Sequence, residues 1–199
     1  MSFLKSIRNI FSLEPWPNIA SFQLGTDEIL IHEEDVRQIE LIPSENFEYA
    51  NEEIERVRKF AEEHFDGKGY TDMYIRDEPP TKLTERQISF FDLVTPFFKD
   101  GFRLKDMRFK GKPLSGPNPA IQKNDFTFFL SLNNKWVNAI YFNKQLYESQ
   151  LGMEKIIYLS QKYDLILVDW WKLMVVETKT SGVLRNPGGF LWTAQDSNR

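Results

Sequence analysis

The clearest pattern in the chain is a long run of apolar residues at spacings of three and four. Phe47, Ala50, Ile54, Val57, Ala61, His64 and Phe65 fall on one face of a helix. Pro43-Ser44 opens it, with Ser44 as N-cap and Glu45 and Glu48 early, where the helix dipole favours acids. Glu52–Arg56 and Glu55–Lys59 form i,i+4 pairs on the wet face, and Asp66-Gly67 ends the run. A second helix follows the capping-box pattern Thr84-Glu85-Arg86-Gln87 and presents Ile88, Phe91, Val94 and Phe98. Pro96 is expected to kink or end it, and Gly101 to stop it. A third helix is predicted over about Leu146–Tyr163. A fourth spans residues 2–12, with Phe3, Leu4, Ile7, Ile10 and Phe11 on one face, docked on the core and stopped by Pro15 and Pro17.

Between these helices the pattern shortens to strand length. Ile19–Leu24, Glu28–His32 and Val36–Ile42 read as strands of an antiparallel hairpin or meander, with Glu33, Glu34 and Asp35 connecting the last two. Tyr70–Arg76 reads as another strand. Over Phe102–Lys110 the alternation slips, with Phe102 and Leu104 on one parity and Met107 and Phe109 on the other. A bulge near Asp106 would restore a single apolar face. Gly111–Ala120 is a loop with three prolines. Phe126–Leu132 and Lys135–Phe142 form a hairpin across Asn133-Asn134. Leu165–Trp170 and Leu173–Thr178 are strands joined at Trp171-Lys172, and residues 180–199 look irregular. Several strand pairs have connections too short for a parallel crossover. The expected fold is therefore α+β: one domain over 1–199, a mainly antiparallel sheet of eight or nine strands and about four helices.

Composition narrows the class. The chain has 199 residues, ample for a core without staples, and 17 Phe, 7 Tyr and 5 Trp argue against disorder. With no cysteine there is no disulfide framework, thiolate nucleophile or Cys-based zinc site. No apolar run reaches the ~18 residues of a membrane span, and no signal-peptide pattern opens the chain, so the expectation is a cytoplasmic protein. Neither a phosphate loop nor a G-x-S-x-G elbow is present.

The net charge of −4 conceals an uneven distribution. Residues 27–63 hold 13 acidic and 4 basic side chains, for −9, whereas residues 99–112 hold 6 basic and 2 acidic, for +4. Glu28, Glu33, Glu34, Asp35 and Glu40 of the expected hairpin, and Glu48, Glu52, Glu55, Glu62 and Glu63 of the helix, would form one acidic surface if the two elements pack side by side. Such a surface steers a cationic partner. The expected function is thus a non-enzymatic protein-interaction module, similar in kind to the small acidic immunity proteins that block basic toxin domains. Its binding residues would be Glu33, Glu34, Asp35, Glu52, Glu55, Glu62 and Glu63. The basic segment interleaves Arg103, Lys105, Arg108 and Lys110 with Phe102 and Phe109, a pattern seen on nucleic-acid surfaces. Its strand spacing and the overall negative charge argue against that use.

Histidine offers little chemistry: His64 falls on an apolar helix face, and His32 adjoins the acids of the expected turn, so no metal site is favoured. Of the adjacent Trp170 and Trp171, a strand would expose one, which suits a binding anchor.

One alternative comes from the stretch Tyr163-Asp164-Leu-Ile-Leu-Val-Asp169-Trp-Trp-Lys-Leu-Met-Val-Val-Glu177-Thr-Lys179. It resembles the core of PD-(D/E)xK nucleases, with Tyr163 where that family has proline. The resemblance implies a Mg²⁺-dependent site in which Asp164 or Asp169 and Glu177 bind the metal and Lys179 assists. Glu154 would be the extra acid. No cofactor is expected otherwise.

Overall fold

The computed structural model describes residues 28–31, 37–109, 112–113, 119–124, 126–143, 149–179, 183–185 and 191–193. The expected N-terminal helix, the strand at Ile19–Leu24, and Glu33, Glu34 and Asp35 lie outside them. Among the described residues are three α-helices: α1 (Phe47–His64), α2 (Phe90–Lys99) and α3 (Gln150–Tyr163). Eleven strands among the described residues make one sheet: β1 (Glu28–Ile31), β2 (Ile39–Pro43), β3 (Arg103–Phe109), β4 (Lys112–Pro113), β5 (Pro119–Lys123), β6 (Phe126–Asn133), β7 (Trp136–Phe142), β8 (Leu165–Asp169), β9 (Met174–Lys179), β10 (Val183–Arg185) and β11 (Leu191–Thr193). Their order is β1-β3-β5-β6-β7-β2-β8-β9-β10-β11, with β4 on β3. Every pairing is antiparallel except that of β1 with β3. The fold is α+β with a mainly antiparallel sheet.

Both faces of the sheet are covered. Alternation sends Ile39, Leu41, Leu165 and Leu167 to the face packed by α2 and α3. Ile42, Ile166 and Val168 face the other way, against Ala50 and Ile54 of α1. Further along that second face, Met107, Ala120, Phe129 and Tyr141 form a separate cluster.

This two-sided burial corrects several expectations. β1 and β2 are not a hairpin: β1 pairs with β3 at the sheet edge, and β2 lies five strand spacings away, about 24 Å. β3 carries no bulge over its pairing with β5, whose register runs unbroken from Arg103–Gln122 to Asp106–Pro119. The parity change is real, with Leu104 in one cluster and Met107 in another. Tyr70–Arg76 is not a strand; a single bridge joins Tyr70 to Phe65. The expected irregular tail contains the β10–β11 hairpin.

Local signals behave variably. A 3₁₀ turn at Ser44–Asn46 precedes α1, and Ser44 donates its N–H to the Asp164 carbonyl instead of capping the helix. The ion pairs on α1 are Glu53–Arg56, Glu55–Arg58 and Lys59–Glu63 rather than the expected set. Residues Leu83–Arg86 make a 3₁₀ turn, and Ser89 caps α2 by accepting the Asp92 N–H at 3.2 Å. The expected stripe on α2 turns accordingly, burying Phe90, Leu93, Val94 and Phe97. Pro96 does not end α2. The Asp92 carbonyl, which Pro96 cannot bond, accepts instead from Lys162 Nζ at 3.5 Å.

Candidate functional site

The chain leaving α1 turns at Asp66–Gly69, where the Asp66 carboxylate accepts the Lys68 and Gly69 N–H groups at 2.9 Å. It then runs back along the helix as an extended segment, residues 73–79, whose polar groups bond to side chains instead of to a neighbouring strand. Tyr74 donates its hydroxyl to Glu53 Oε1 at 3.0 Å, and the Asp77 N–H reaches the same oxygen at 3.4 Å. Tyr49 donates to the Asp77 carbonyl, and Tyr74 packs on Phe60. Glu53 is fully buried, yet it sits on the apolar stripe of α1, one turn from Ala50 and Val57. Its charge is met by Arg56.

A cleft of about 310 Å³ lies between this segment, α1 and the end of β2. Its floor is Glu40, 4% exposed in the middle of β2. Glu40 accepts from the Trp170 indole Nε1 at 2.9 Å and from Arg37 Nε at 2.8 Å. Arg37 also reaches Glu78 at 3.1 Å on the rim. Burial opposes the Arg37 charge, but Glu40 and Glu78 outweigh it and hold the group above its ordinary pKa. Arg76 stacks its guanidinium on Trp170, 4.3 Å from the ring centroid, and donates Nη2 to the Arg37 carbonyl at 3.0 Å. Burial is the largest influence on Arg76 and pulls its pKa below the ordinary value. The Tyr49 hydroxyl, desolvated and close to Glu53 and Asp77, is pushed up to about 12.

The outer side of the same elements is exposed and of mixed character. Glu48, Glu52, Glu55, Glu62 and Glu63 lie in the open on α1. Phe65 and Tyr70 pack together beside the helix C-terminus, ring centroids 5.5 Å apart, and further along the segment Met73 and Ile75 are 75% and 79% exposed. Residues 44–79 carry eleven acids and five bases, for −6. Of the acids expected to bind, Glu52, Glu55, Glu62 and Glu63 thus share α1. Glu40, expected on the same surface, is buried in the cleft floor, and Glu28 belongs to the distant edge strand. Trp170 and Trp171 do separate, the first buried and the second exposed, although they lie in the β8–β9 turn.

The residues of the nuclease-like reading are placed as follows. Asp164 is the left-handed C-cap of α3 and pairs with Arg86 at 3.3 Å. Asp169 is fully buried at the other end of β8, about 17 Å along the strand, and accepts the Lys172 N–H at 2.9 Å to close the turn. Asp169 stands opposite Met174, whereas Glu177 and Lys179 stand opposite Arg185 and Val183 of β10. Glu154 is exposed and accepts from Gln150. Among the described residues no group of three His, Asp or Glu is placed to hold a metal ion. Nor is any described helix long and apolar enough to cross a membrane.

Sequence reasoning named Glu40 only as a surface acid and Trp170 only as one of a tryptophan pair, and did not bring the cleft residues together. The signal for two of them was present: Glu40 interrupts Ile39-Glu-Leu-Ile, and Glu53 interrupts the apolar face of α1. A charge at a core position is costly unless it is paired, so each pointed to a partner. Compared with models of known families, with curated proteins and with solved structures, the chain matches none.

Proposed function

We propose that this protein is an interaction module that binds a basic protein partner through the outer face of α1 and the adjoining 65–75 segment. The observation that carries this reading is that Phe65, Tyr70, Met73 and Ile75, all large, apolar and exposed, fall on the one short segment that follows an acidic helix, with Phe65 and Tyr70 in contact. Large exposed apolar groups in one patch mark interaction surfaces more often than chance exposure does. The surrounding acids select a cationic partner and orient it, while the apolar groups supply the desolvated centre of the contact. Inhibition of a basic toxin-like domain is the most concrete form of this activity.

A photo-crosslinking residue at Tyr70 identifies the partner, which is then purified and titrated. Binding is expected to weaken several-fold as salt rises, and to weaken similarly in a Glu52→Gln, Glu55→Gln, Glu62→Gln variant. Salt-independent binding, unchanged by those substitutions, would count against the electrostatic mechanism. The Mg²⁺-nuclease reading has less support, because Asp164 is engaged by Arg86 and Asp169 by its own turn. Mg²⁺-dependent cleavage of DNA or RNA that is lost in Glu177→Ala would revive it.

A further inference from the structure

The cleft is continuous with the docking surface, because Ile75 lines it and also stands among the exposed apolar groups of the 65–75 segment. The charged groups of the lining differ in what they still offer. Both arginines are committed to the fold. Arg37 is bound by Glu40 and Glu78, while Arg76 lies on Trp170, donates to the Arg37 carbonyl and keeps Nη1 buried out of reach. Glu40 is enclosed in the floor. Two lining acids remain open to solvent. Glu78 is 70% exposed and is bonded by one Arg37 nitrogen. Asp77 is exposed, and its carboxylate meets no donor among the described residues; its bonds, to Tyr49 and Glu53, are made by its backbone. A group entering the cleft therefore meets negative charge. The Tyr49 hydroxyl stands in the same field: after burial, Glu53 and Asp77 do more to raise its pKa than Arg56 and Arg76 do to lower it.

We propose that this cleft receives one arginine side chain of the basic partner, its guanidinium held by Asp77 and Glu78 and its stem lying along Tyr49, Tyr74 and Ile75. This rests on the docking surface of α1 and the 65–75 segment, and names a group which that surface selects. Charge complementarity disfavours an acidic side chain. The tyrosine walls favour a flat, weakly hydrated cation over a compact ammonium. A guanidinium can also donate to two carboxylates at once through separate nitrogens. The volume of about 310 Å³ stands at the small end of ligand sites, which suits one long side chain rather than a helix or strand of the partner. An arginine seated in a pocket beside apolar groups is a common anchor of a protein contact. The acids of α1 steer the partner from outside, and the cleft fixes its register.

Titration of the full ¹⁵N-labelled chain by NMR at constant ionic strength tests the assignment, with Nα-acetylarginine methylamide as probe and the matching citrulline and lysine derivatives as controls. The arginine probe is expected to shift the amides of residues 75–78 and to approach saturation by about 50 mM. Citrulline, the same shape without the charge, should bind at least about fivefold more weakly, and lysine at least about threefold. Asp77→Asn, which leaves the backbone contacts of residue 77 in place, should weaken the arginine probe about threefold, and Asp77→Lys more than about tenfold. Asp77→Lys should also cost at least about tenfold in affinity for the crosslinked partner. The proposal is overturned if the amides do not move, if citrulline or lysine binds as well as arginine, or if both Asp77 variants bind the probe or the partner as the parent does. The docking surface is read separately, through salt and the Glu52, Glu55 and Glu62 substitutions. Partner binding that responds to both, with no arginine preference in the cleft, sinks the cleft assignment alone. Probe binding as expected, with partner binding indifferent to salt and to those substitutions, sinks the docking surface and the partner's arginine with it.

Discussion

The two faces of the sheet are built on different principles. The face under α2 and α3 is dry and aromatic: Phe90, Phe97, Phe102, Phe126, Phe128 and Phe142 pack together, with Phe97 and Phe128 centroids 4.6 Å apart. The face under α1 buries fewer large apolar groups and admits charge, with Glu40 and Glu53 enclosed and Arg76 laid on Trp170. Burying ions gives little net stability even when they are well paired. A protein gains nothing in robustness by placing them there, so the contrast separates a face that holds the fold from the face to which the proposed function assigns recognition. That division can be tested by substitutions on either side.

The largest expected effect is on the dry face. Phe128 is fully buried at the centre of the aromatic cluster, and Phe128→Ala should destabilise the protein by about 4 kcal/mol in urea unfolding. A loss below about 1 kcal/mol would mean the cluster is loosely packed and would end the contrast. Next comes Glu40→Ala, expected to cost about 3 kcal/mol, because it leaves the buried Trp170 indole and Arg37 without their acceptor. Glu40→Gln keeps one acceptor oxygen and should cost about half as much. If Glu40→Ala instead stabilised the protein, the cleft would be better described as a strained apolar pocket than as a built polar site.

A smaller effect appears at high pH. Desolvation pushes the hydroxyls of Tyr49 and Tyr141 up to about 12, from an ordinary value of 10.0, and both face the α1 side. Below pH 10 these tyrosines are neutral in folded and unfolded chains alike, and the contribution is fully present. Between pH 10 and 12 the unfolded chain releases the protons first, so stability falls as pH rises. Tyr141→Phe should flatten that part of the stability profile measured by denaturant unfolding, whereas removing a phenylalanine of the dry face should shift the whole profile without changing its slope.

Much of the framework was legible because it is local. The β6–β7 hairpin, α1, α3 and the β8–β9 pair follow from periodicity and turn residues within a few positions of one another. What escaped depends on contacts distant in sequence. Nothing near Glu28 says that its strand pairs with Asp106, and a hairpin is the natural local reading. The parity change at Met107 looks like a bulge only if one face of the sheet is assumed wet. Residues 70–76 have the residue types of a strand, but Glu53, on the facing helix, takes the hydrogen bonds of Tyr74 and Asp77. The acidic helix was visible as a charge run. The cleft was not, because Arg76 and Glu40 lie 36 positions apart in the chain and are brought together through Trp170 and Arg37.

The smallest expected change in stability belongs to the exposed segment. Met73→Ser combined with Ile75→Ser removes two large side chains that are mostly in solvent, so it forfeits little buried area. Thermal unfolding should place the double variant within about 0.5 kcal/mol of the parent. The contacts that hold the segment, Tyr74 to Glu53 and Tyr49 to the Asp77 carbonyl, do not involve either side chain. Affinity for the crosslinked partner should nevertheless fall strongly, because apolar groups near the centre of a contact dominate its energy. A drop in stability approaching that of Phe128→Ala would show that Met73 and Ile75 hold the segment in place. Their exposure would then be a by-product of packing, and the α1 face would lose its claim to be the recognition side.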